Sequence, residues 1–596
     1  MADTNKKKRG CFRIGCLTVV VGLLLLAGLG WLAHQWGSRL PGRFVLKVPV
    51  TGQIDERAPD QASFPFGGGR QALSLEELLT ILERAKTDQR VDSVLLQIDG
   101  LNASSAKIQE LSNSIAALRK SGKKVTAFLV TPEDKDYQLA TACDAIIVQK
   151  GSWMTLDGLK AELFFLADPL KKLGVTFQAA QWKKYKSAVE SFTRSNPSPE
   201  NLEETNALLD DAWADYLDAV SRQRHIGTAT FRQVIDSLAV MTPEKALGLH
   251  LIDRVATDRE LEKEYAKRLD KPADELFVGG KEYLEATGGM KPQSAGDRIA
   301  VLNITGMIVS DGAAGMGDGE RTDVSTLKQA LETALDDKKV KAIVLRIDSP
   351  GGDALAASTM LELLDEAKAK KPIVASMSGV AASGGYMVAL AGSKIYAEPM
   401  TVTGSIGVFS LKPDVSGLLE KSGIRREVLS RGRFADAETP FKAFDDASFQ
   451  KFVEITGTVY DDFIAKVAKG RHMTPAAVDA VAGGRVWSGK RALEVGLVDQ
   501  IGGLADAVQE AKKLARMDAK SKPELLYLPV RKTWLEYLLA GDTSAMTSEL
   551  TAEVLRQSLG QMLPTSNLPG TAIARYLLRT EEPQVLALDP VQVEIK

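Results

Sequence analysis

Three groups of residues in this chain could do chemistry together. Ser383 follows the apolar stretch Val374-Ala375-Ser376-Met377 and the small residues Ser378-Gly379-Val380-Ala381-Ala382, and it precedes Gly384-Gly385. That order reads as a buried strand, a tight turn and a helix opening at the serine. The hydroxyl is then free of the sheet, and the first N–H groups of the helix point where an anion would sit. A serine before two glycines is also a common close-packing turn. A serine hydroxyl is a poor nucleophile until a base within hydrogen-bond reach takes its proton. The four histidines, His34, His225, His250 and His472, include no HxxxH pair, so zinc hydrolysis is disfavoured and a Ser–His–Asp triad has no obvious base. A neutral lysine can do the work if its pKa falls from about 10.4 to about 7–8, at a cost of roughly 4 kcal/mol. Lys186, in Lys184-Tyr185-Lys186-Ser187-Ala188-Val189-Glu190, is the candidate, with apolar cover from Trp182 and Tyr185 and like charge from Lys183 and Lys184. Its alternative is a solvated surface lysine. The third group is Asp348-Ser349-Pro350-Gly351-Gly352, directly after a strand at 342–347. Parallel sheets bind ligands beyond the carboxyl ends of their strands, and the N–H groups of Gly351 and Gly384 are candidate oxyanion donors.

An internal repeat must position these groups. Shifting the chain by 249 residues lays 74–100 on 323–349 without a gap, and nine of those 27 positions are identical. The same shift pairs Tyr137 with Tyr386; nearby shifts pair Arg224-His225 with Arg471-His472. Repeat 1 spans 43–256, repeat 2 spans 297–503, with a linker at 257–296 and an extension at 504–596, of which 520–596 has no counterpart. Each repeat alternates β-branched strands with amphipathic helices, which implies parallel pairing and right-handed crossovers. In repeat 2 the elements are a strand at 299–304, a helix carrying Leu327, Leu331, Ala334 and Leu335 on one face, the strand at 342–347, a helix at 354–370, a strand at 373–377 and the Ser383 helix. The acidic, Gly-rich loop at 311–320 lacks calcium-loop spacing and reads as a loop beside a cleft.

The repeats differ where the chemistry lies. Ser383-Gly384-Gly385 faces Asp134-Lys135-Asp136, and Asp348-Ser349-Pro350-Gly351-Gly352 faces Asp99-Gly100-Leu101-Asn102-Ala103. Lys186 faces Ala435. One copy keeps the serine and the other keeps the lysine, so a serine–lysine site must be assembled from both.

Composition narrows the partners. The net charge of −2 over 596 residues argues against nucleic acid. The three cysteines, Cys11, Cys16 and Cys143, build neither a disulfide framework nor a thiolate metal site, and no cofactor or metal is expected. A basic tail at 1–13, with Lys6-Lys7-Lys8-Arg9, precedes residues 14–33, which carry no charge and span about 30 Å as a helix. With Trp31 and Trp36 at its far end, 14–36 reads as an uncleaved transmembrane anchor whose basic flank stays in the cytoplasm.

Together, Asp348-Ser-Pro-Gly-Gly352, Ala382-Ser-Gly-Gly-Tyr386, Thr403-Gly-Ser-Ile-Gly-Val408 and Tyr185-Lys-Ser-Ala-Val-Glu190 resemble the motifs of the signal peptide peptidase A (protease IV) family, in its long tandem-domain form from Gram-negative bacteria. The resemblance runs from the anchor to the end of repeat 2. It implies an α/β fold of two tandem ClpP/crotonase-like domains behind a transmembrane helix. It also implies a serine endopeptidase with Ser383 as nucleophile and Lys186 as general base, acting on signal peptides already released from secreted proteins. A homotetramer is implied as well, held at the bacterial inner membrane with its catalytic domains in the periplasm. Asp348 stands where some relatives carry Asn, and little effect is expected from that exchange. Apolar subsites are expected, with Met377, Ala381, Val408 and Phe409 as candidates beside ordinary core roles for each. The competing readings are a catalytically silent, membrane-anchored scaffold of the same fold and an acyl-CoA enzyme of the crotonase type. The latter is disfavoured outside the cytoplasm, where CoA is not expected.

Overall fold

The computed structural model describes residues 40–58, 72–272, 275–292, 296–312, 320–530 and 585–588. The expected anchor and basic tail lie outside these. Among the described residues no helix is long and apolar enough to cross a membrane.

The two repeats build the same parallel sheet. In repeat 1 the strand order is Arg254–Ala256, Ala145–Gln149, Lys124–Leu129, Val91–Asn102, Phe44–Gln53, Phe277–Gly279, every neighbouring pair parallel. In repeat 2 the matching order is Gln500–Ile501, Ile395–Ala397, Ile373–Ala382, Val340–Asp353, Arg298–Val309, Glu524–Leu528, again all parallel. The central strands are near-continuous Val, Ile, Leu and Ala runs because helices cover both faces. Residues 277–279, read from sequence as linker, and 524–528, read as unmatched extension, are the equivalent last strands of the two sheets.

The agreement extends to single side chains. Tyr137 and Tyr386 are fully buried, and each donates its hydroxyl at 2.8 Å to a carbonyl, that of Leu251 or Leu497. The 26-residue helices Pro199–Arg224 and Asp446–Arg471 both end on a histidine in the left-handed conformation, His225 at φ 56° and His472 at φ 55°. Arg224 pairs with Asp253 and Arg471 with Asp499.

Several devices join the repeats, beginning with a strand pairing. Thr176–Gln181 of repeat 1 pairs antiparallel with Phe409–Asp414 of repeat 2, Gln181 opposite Phe409. The second is a buried ionic knot. The guanidinium of Arg346, fully excluded from solvent, meets Glu56 Oε1 at 2.6 Å and Glu110 on its other side, and donates to Ser376 and Ser378 hydroxyls at 2.9 and 3.0 Å. Both carboxylates come from repeat 1. Burial alone would lower the Arg346 pKa, but Glu110 and then Glu56 more than offset it and raise it. Glu110 also accepts the Leu504 N–H at 2.6 Å.

Candidate active site

The turn that carries Ser383 is built by the strand Ile373–Ala382 running directly into the helix Gly384–Ala389. Ser383 sits between them at φ 54°, ψ −115°, a conformation that costs a non-glycine residue strain of order 1–3 kcal/mol. Its N–H donates to the Gly404 carbonyl at 2.8 Å, which holds the turn. Such a turn lifts a side-chain oxygen off the sheet and sets it at the opening of a helix. A Cβ on Gly384 would stand 3.3 Å from Gly351 Cα and 3.4 Å from Gly352 N, so the two glycine turns of repeat 2 lie against each other. Gly384 opens the helix with an N–H that has no carbonyl inside that helix to bond. The Gly351 N–H donates to Ser349 Oγ at 3.1 Å, and that hydroxyl donates in turn to the Gly306 carbonyl at 2.6 Å. The stretch read as a turn after residue 347 lies within the longer strand Val340–Asp353.

Lys186 reaches this turn from the other repeat. The antiparallel joint ends with the Trp182 N–H on the Val408 carbonyl at 3.0 Å; the chain reverses at Lys183, φ 71°, and the Tyr185 N–H takes the Gly483 carbonyl at 3.0 Å. Lys186 is fully buried. Its Nζ lies 2.9 Å from Ser383 Oγ, 2.8 Å from Ser405 Oγ and 3.0 Å from the Ser405 carbonyl. Gly484 makes the close approach possible: it sits at φ 88°, and a Cβ there would fall 2.4 Å from Lys186 N. The segment behind the lysine is clamped by Ser187 Oγ on Glu204 at 2.7 Å and by the Glu190 carboxylate, which takes the Ser198 N–H at 2.9 Å.

The lysine's surroundings differ from the expected ones. Lys183 and Lys184 point outward to Asp479 and Glu200, and the Trp182 ring packs on Gly457 and Tyr460. Two hydroxyls and a carbonyl face the amine. Ser405 is the residue that sequence reasoning missed, although the signal was in hand: it is the serine of Thr403-Gly404-Ser405. Its conformation, φ 50°, and its N–H on the Arg485 carbonyl at 2.8 Å aim its oxygens at Lys186. Met377, Ala381 and Val408 are fully buried in the core of repeat 2 and Phe409 in a smaller cluster, so all four take the core role rather than line an open groove.

A slot for an extended chain runs past Ser383. The end of one strand, Gly351-Gly352-Asp353, and the start of another, Phe409-Ser410, are bridged by the backbone of Val585–Leu588, antiparallel to both. Gly352 lies opposite Ala587 and Phe409 opposite Leu586.

The equivalent place in repeat 1 is closed. Asp134, at the nucleophile position, accepts the N–H groups of Asp157 and Gly158 at 3.1 and 3.2 Å. Asp136, at the Gly385 position, accepts those of Leu101 and Glu133 at 2.8 and 2.9 Å. Burial pushes the Asp134 carboxyl up to about 7, against the pull of the Tyr216 hydroxyl and those two N–H groups.

A strained serine at a strand-to-helix turn, with an amine on its oxygen and glycine N–H groups beside it, is an arrangement able to support serine peptidase chemistry on a ClpP-like α/β fold. Comparison with known proteins specifies the family. The description "Peptidase family S49" fits residues 117–271 and 365–518, one match in each repeat, and "Clp protease" fits 302–402. "Serine protease SPPA, chloroplastic" of Arabidopsis thaliana is 33% identical over 528 residues, covering 86% of this chain and 75% of that one. "Protease 4" of Salmonella typhi is 30% identical over 582 residues, covering 93% and 92%. "Putative signal peptide peptidase SppA" of Enterococcus faecium is 34% identical over 243 residues, covering 40% of this chain and 70% of that one. The chain belongs to peptidase family S49 and carries its domain twice.

Proposed function

We propose that the protein is a serine endopeptidase working through a Ser383–Lys186 dyad, that it takes its peptides as added strands, and that its substrates are signal peptides left in the membrane after secretion. The observation that carries the reading is the 2.9 Å contact between a fully buried lysine amine and the oxygen of the strained serine. The neutral amine takes the Ser383 proton as Oγ attacks the scissile carbonyl carbon. The resulting oxyanion turns toward the Gly384 N–H, with the Gly351 N–H as second donor once it leaves Ser349 Oγ. The C–N bond breaks as the Lys186 ammonium returns its proton to the leaving amine. Water then gives a proton to the same lysine and attacks the acyl-serine ester, and the ammonium returns that proton to Ser383 Oγ as the ester C–O bond breaks and the second product leaves as an acid. Ser405 holds the amine in place through its hydroxyl and its carbonyl.

The slot filled by Val585–Leu588 supports strand addition, since main-chain bonds on both edges would hold a peptide with little regard to its sequence. The apolar run at 14–33 and its basic flank support an anchor that leaves both repeats outside the cytoplasm, at the bacterial inner membrane and in the periplasm. There the enzyme would meet bilayer-bound peptides in two dimensions. The name of the Enterococcus relative supports the same substrate class, and assembly as a homotetramer completes the proposal.

Labelling by a fluorophosphonate tests the dyad. The reagent should modify Ser383 in the wild type and nothing in Ser383→Ala. In Lys186→Met the labelling rate should drop by about 10³-fold or more. Labelling at the wild-type rate in Lys186→Met overturns the dyad, and undiminished cleavage of signal peptides in vesicles by Ser383→Ala overturns the function.

A further inference from the structure

Lys186 is not the only lysine that repeat 1 extends into the site of repeat 2. Lys107 lies in the first turn of the helix Ser105–Lys120, and its side chain is buried. Its Nζ stands 2.7 Å from Asp348 Oδ2 and donates to the Ile54 carbonyl at 3.0 Å. The other oxygen of that carboxylate, Oδ1, accepts the Val380 N–H at 3.0 Å. Burial opposes both charges, yet each keeps the other ionised: the Lys107 ammonium holds Asp348 below the usual carboxylate range, and Asp348, with help from Glu56, holds Lys107 above the usual lysine range.

Asp348 occupies a break in the sheet. Ile347 pairs with Met377, but the next pairing is Ser349 with Ala381, so one residue on one strand faces three on the other. The carboxylate bridges that break through Val380. From its two ends leave the two chain segments of the active site: Ser349 to Gly352 on one strand, and Ala381 to Gly384 on the other. The equivalent aspartate of repeat 1, Asp99, makes the same contact more loosely, 3.5 Å from the Thr131 N–H. The repeat-2 position matching Lys107 is Ala356.

We propose that Lys107 is a positioning residue. By clamping Asp348 it sets the spacing between the Gly351 turn and the Ser383–Gly384 turn, and so the width of the oxyanion site. This rests on the reading of Ser383 as nucleophile. It also revises the expectation that Asn at position 348 is harmless: Asn there leaves a buried ammonium without its carboxylate, so it should be tolerated only when position 107 is no longer lysine.

The test uses the full-length protein carrying Lys107→Met, Asp348→Asn or both, with active sites counted by fluorophosphonate titration. Per titrated site, each single variant should lose about 10²-fold in kcat, the scale of a 1 Å misplacement, with KM within about twofold of wild type. Affinity for a peptidyl boronate, which presents a tetrahedral oxyanion, should fall by the same factor as kcat. The double variant, with no buried charge left alone, should be no worse than the poorer single and should keep the numbers decisive if a single variant folds poorly. Three results overturn the proposal: a kcat per titrated site within about twofold of wild type, a loss confined to the fraction of titratable sites, or losses that multiply in the double variant. Cleavage by Ser383→Ala measured alongside would strike the nucleophile reading instead, so the two failures are distinguishable.

Discussion

The Ser383 turn and the Asp134 turn sit at the same point of the same fold and have opposite solutions to one physical problem. Each strand-to-helix turn gathers backbone N–H groups that need an acceptor. Repeat 1 fills the place with the carboxyl groups of Asp134 and Asp136, which accept the N–H groups of Asp157 and Gly158 and of Leu101 and Glu133. Repeat 2 places a serine and two glycines there, with no carboxylate. Around these turns the frames match, down to the buried tyrosines Tyr137 and Tyr386 and their 2.8 Å bonds. The lesson is that repeat 1 shares the fold without the serine and glycines, and directs several of its charged side chains at its neighbour. Lys186, Lys107, Glu56 and Glu110 all act on residues of repeat 2.

The comparison can be broken most decisively by moving the nucleophile. Ser383→Ala should lose about 10⁴-fold or more in kcat/KM on a model peptide, and adding Asp134→Ser should restore none of it, because the repeat-2 position matching Lys186 is an alanine, Ala435. Recovery in the double variant would mean that repeat 1 retains a usable site. Next in size is the ionic knot. Arg346→Met leaves two buried carboxylates uncompensated and should destabilise the protein by about 3–5 kcal/mol in urea unfolding, whereas Gln97→Met at the matching position of repeat 1 should cost under about 1 kcal/mol. Equal losses would remove the asymmetry argued for the two repeats.

The smallest effect depends on pH. Asp134 has a folded pKa raised to about 7, so the folded state binds its proton more tightly than the unfolded chain does. Its contribution to stability is therefore fully present at pH values below the unfolded pKa, about 4, and is lost as pH rises to about 7. Asp134→Asn should then raise thermal stability at pH 8 relative to wild type, by roughly 1–2 kcal/mol after the changed hydrogen bonding is allowed for, and change little at pH 4. A gain that is the same at both pH values would show that the carboxyl does not titrate in this window.

Much of this was legible in the residues, for stated reasons. The strands were visible as β-branched runs, and the tandem arrangement as self-similarity around Leu96/Leu345 and Asp99/Asp348. Lys186 was found by subtraction, as the residue one repeat has and the other lacks. Ser405 escaped because a hydroxyl that orients an amine has no spacing rule. The last strand of each sheet escaped because three to five residues after a charged helix give too short a pattern to count. The Asp348 contact with Lys107 could not be read either. It joins positions 241 apart, and a lysine at the start of an amphipathic helix normally faces water.

Gly484 and Arg485 have a consequence for the order of synthesis. The amine donor leaves the ribosome nearly two hundred positions before the nucleophile, 186 against 383, and the backbone that roofs over the lysine and aims Ser405 comes a further hundred later. On the proposed Ser383–Lys186 dyad, a growing chain has no working blade until almost all of both repeats has emerged. Latency of this kind needs no pro-segment: it is built into where along the message each part is encoded.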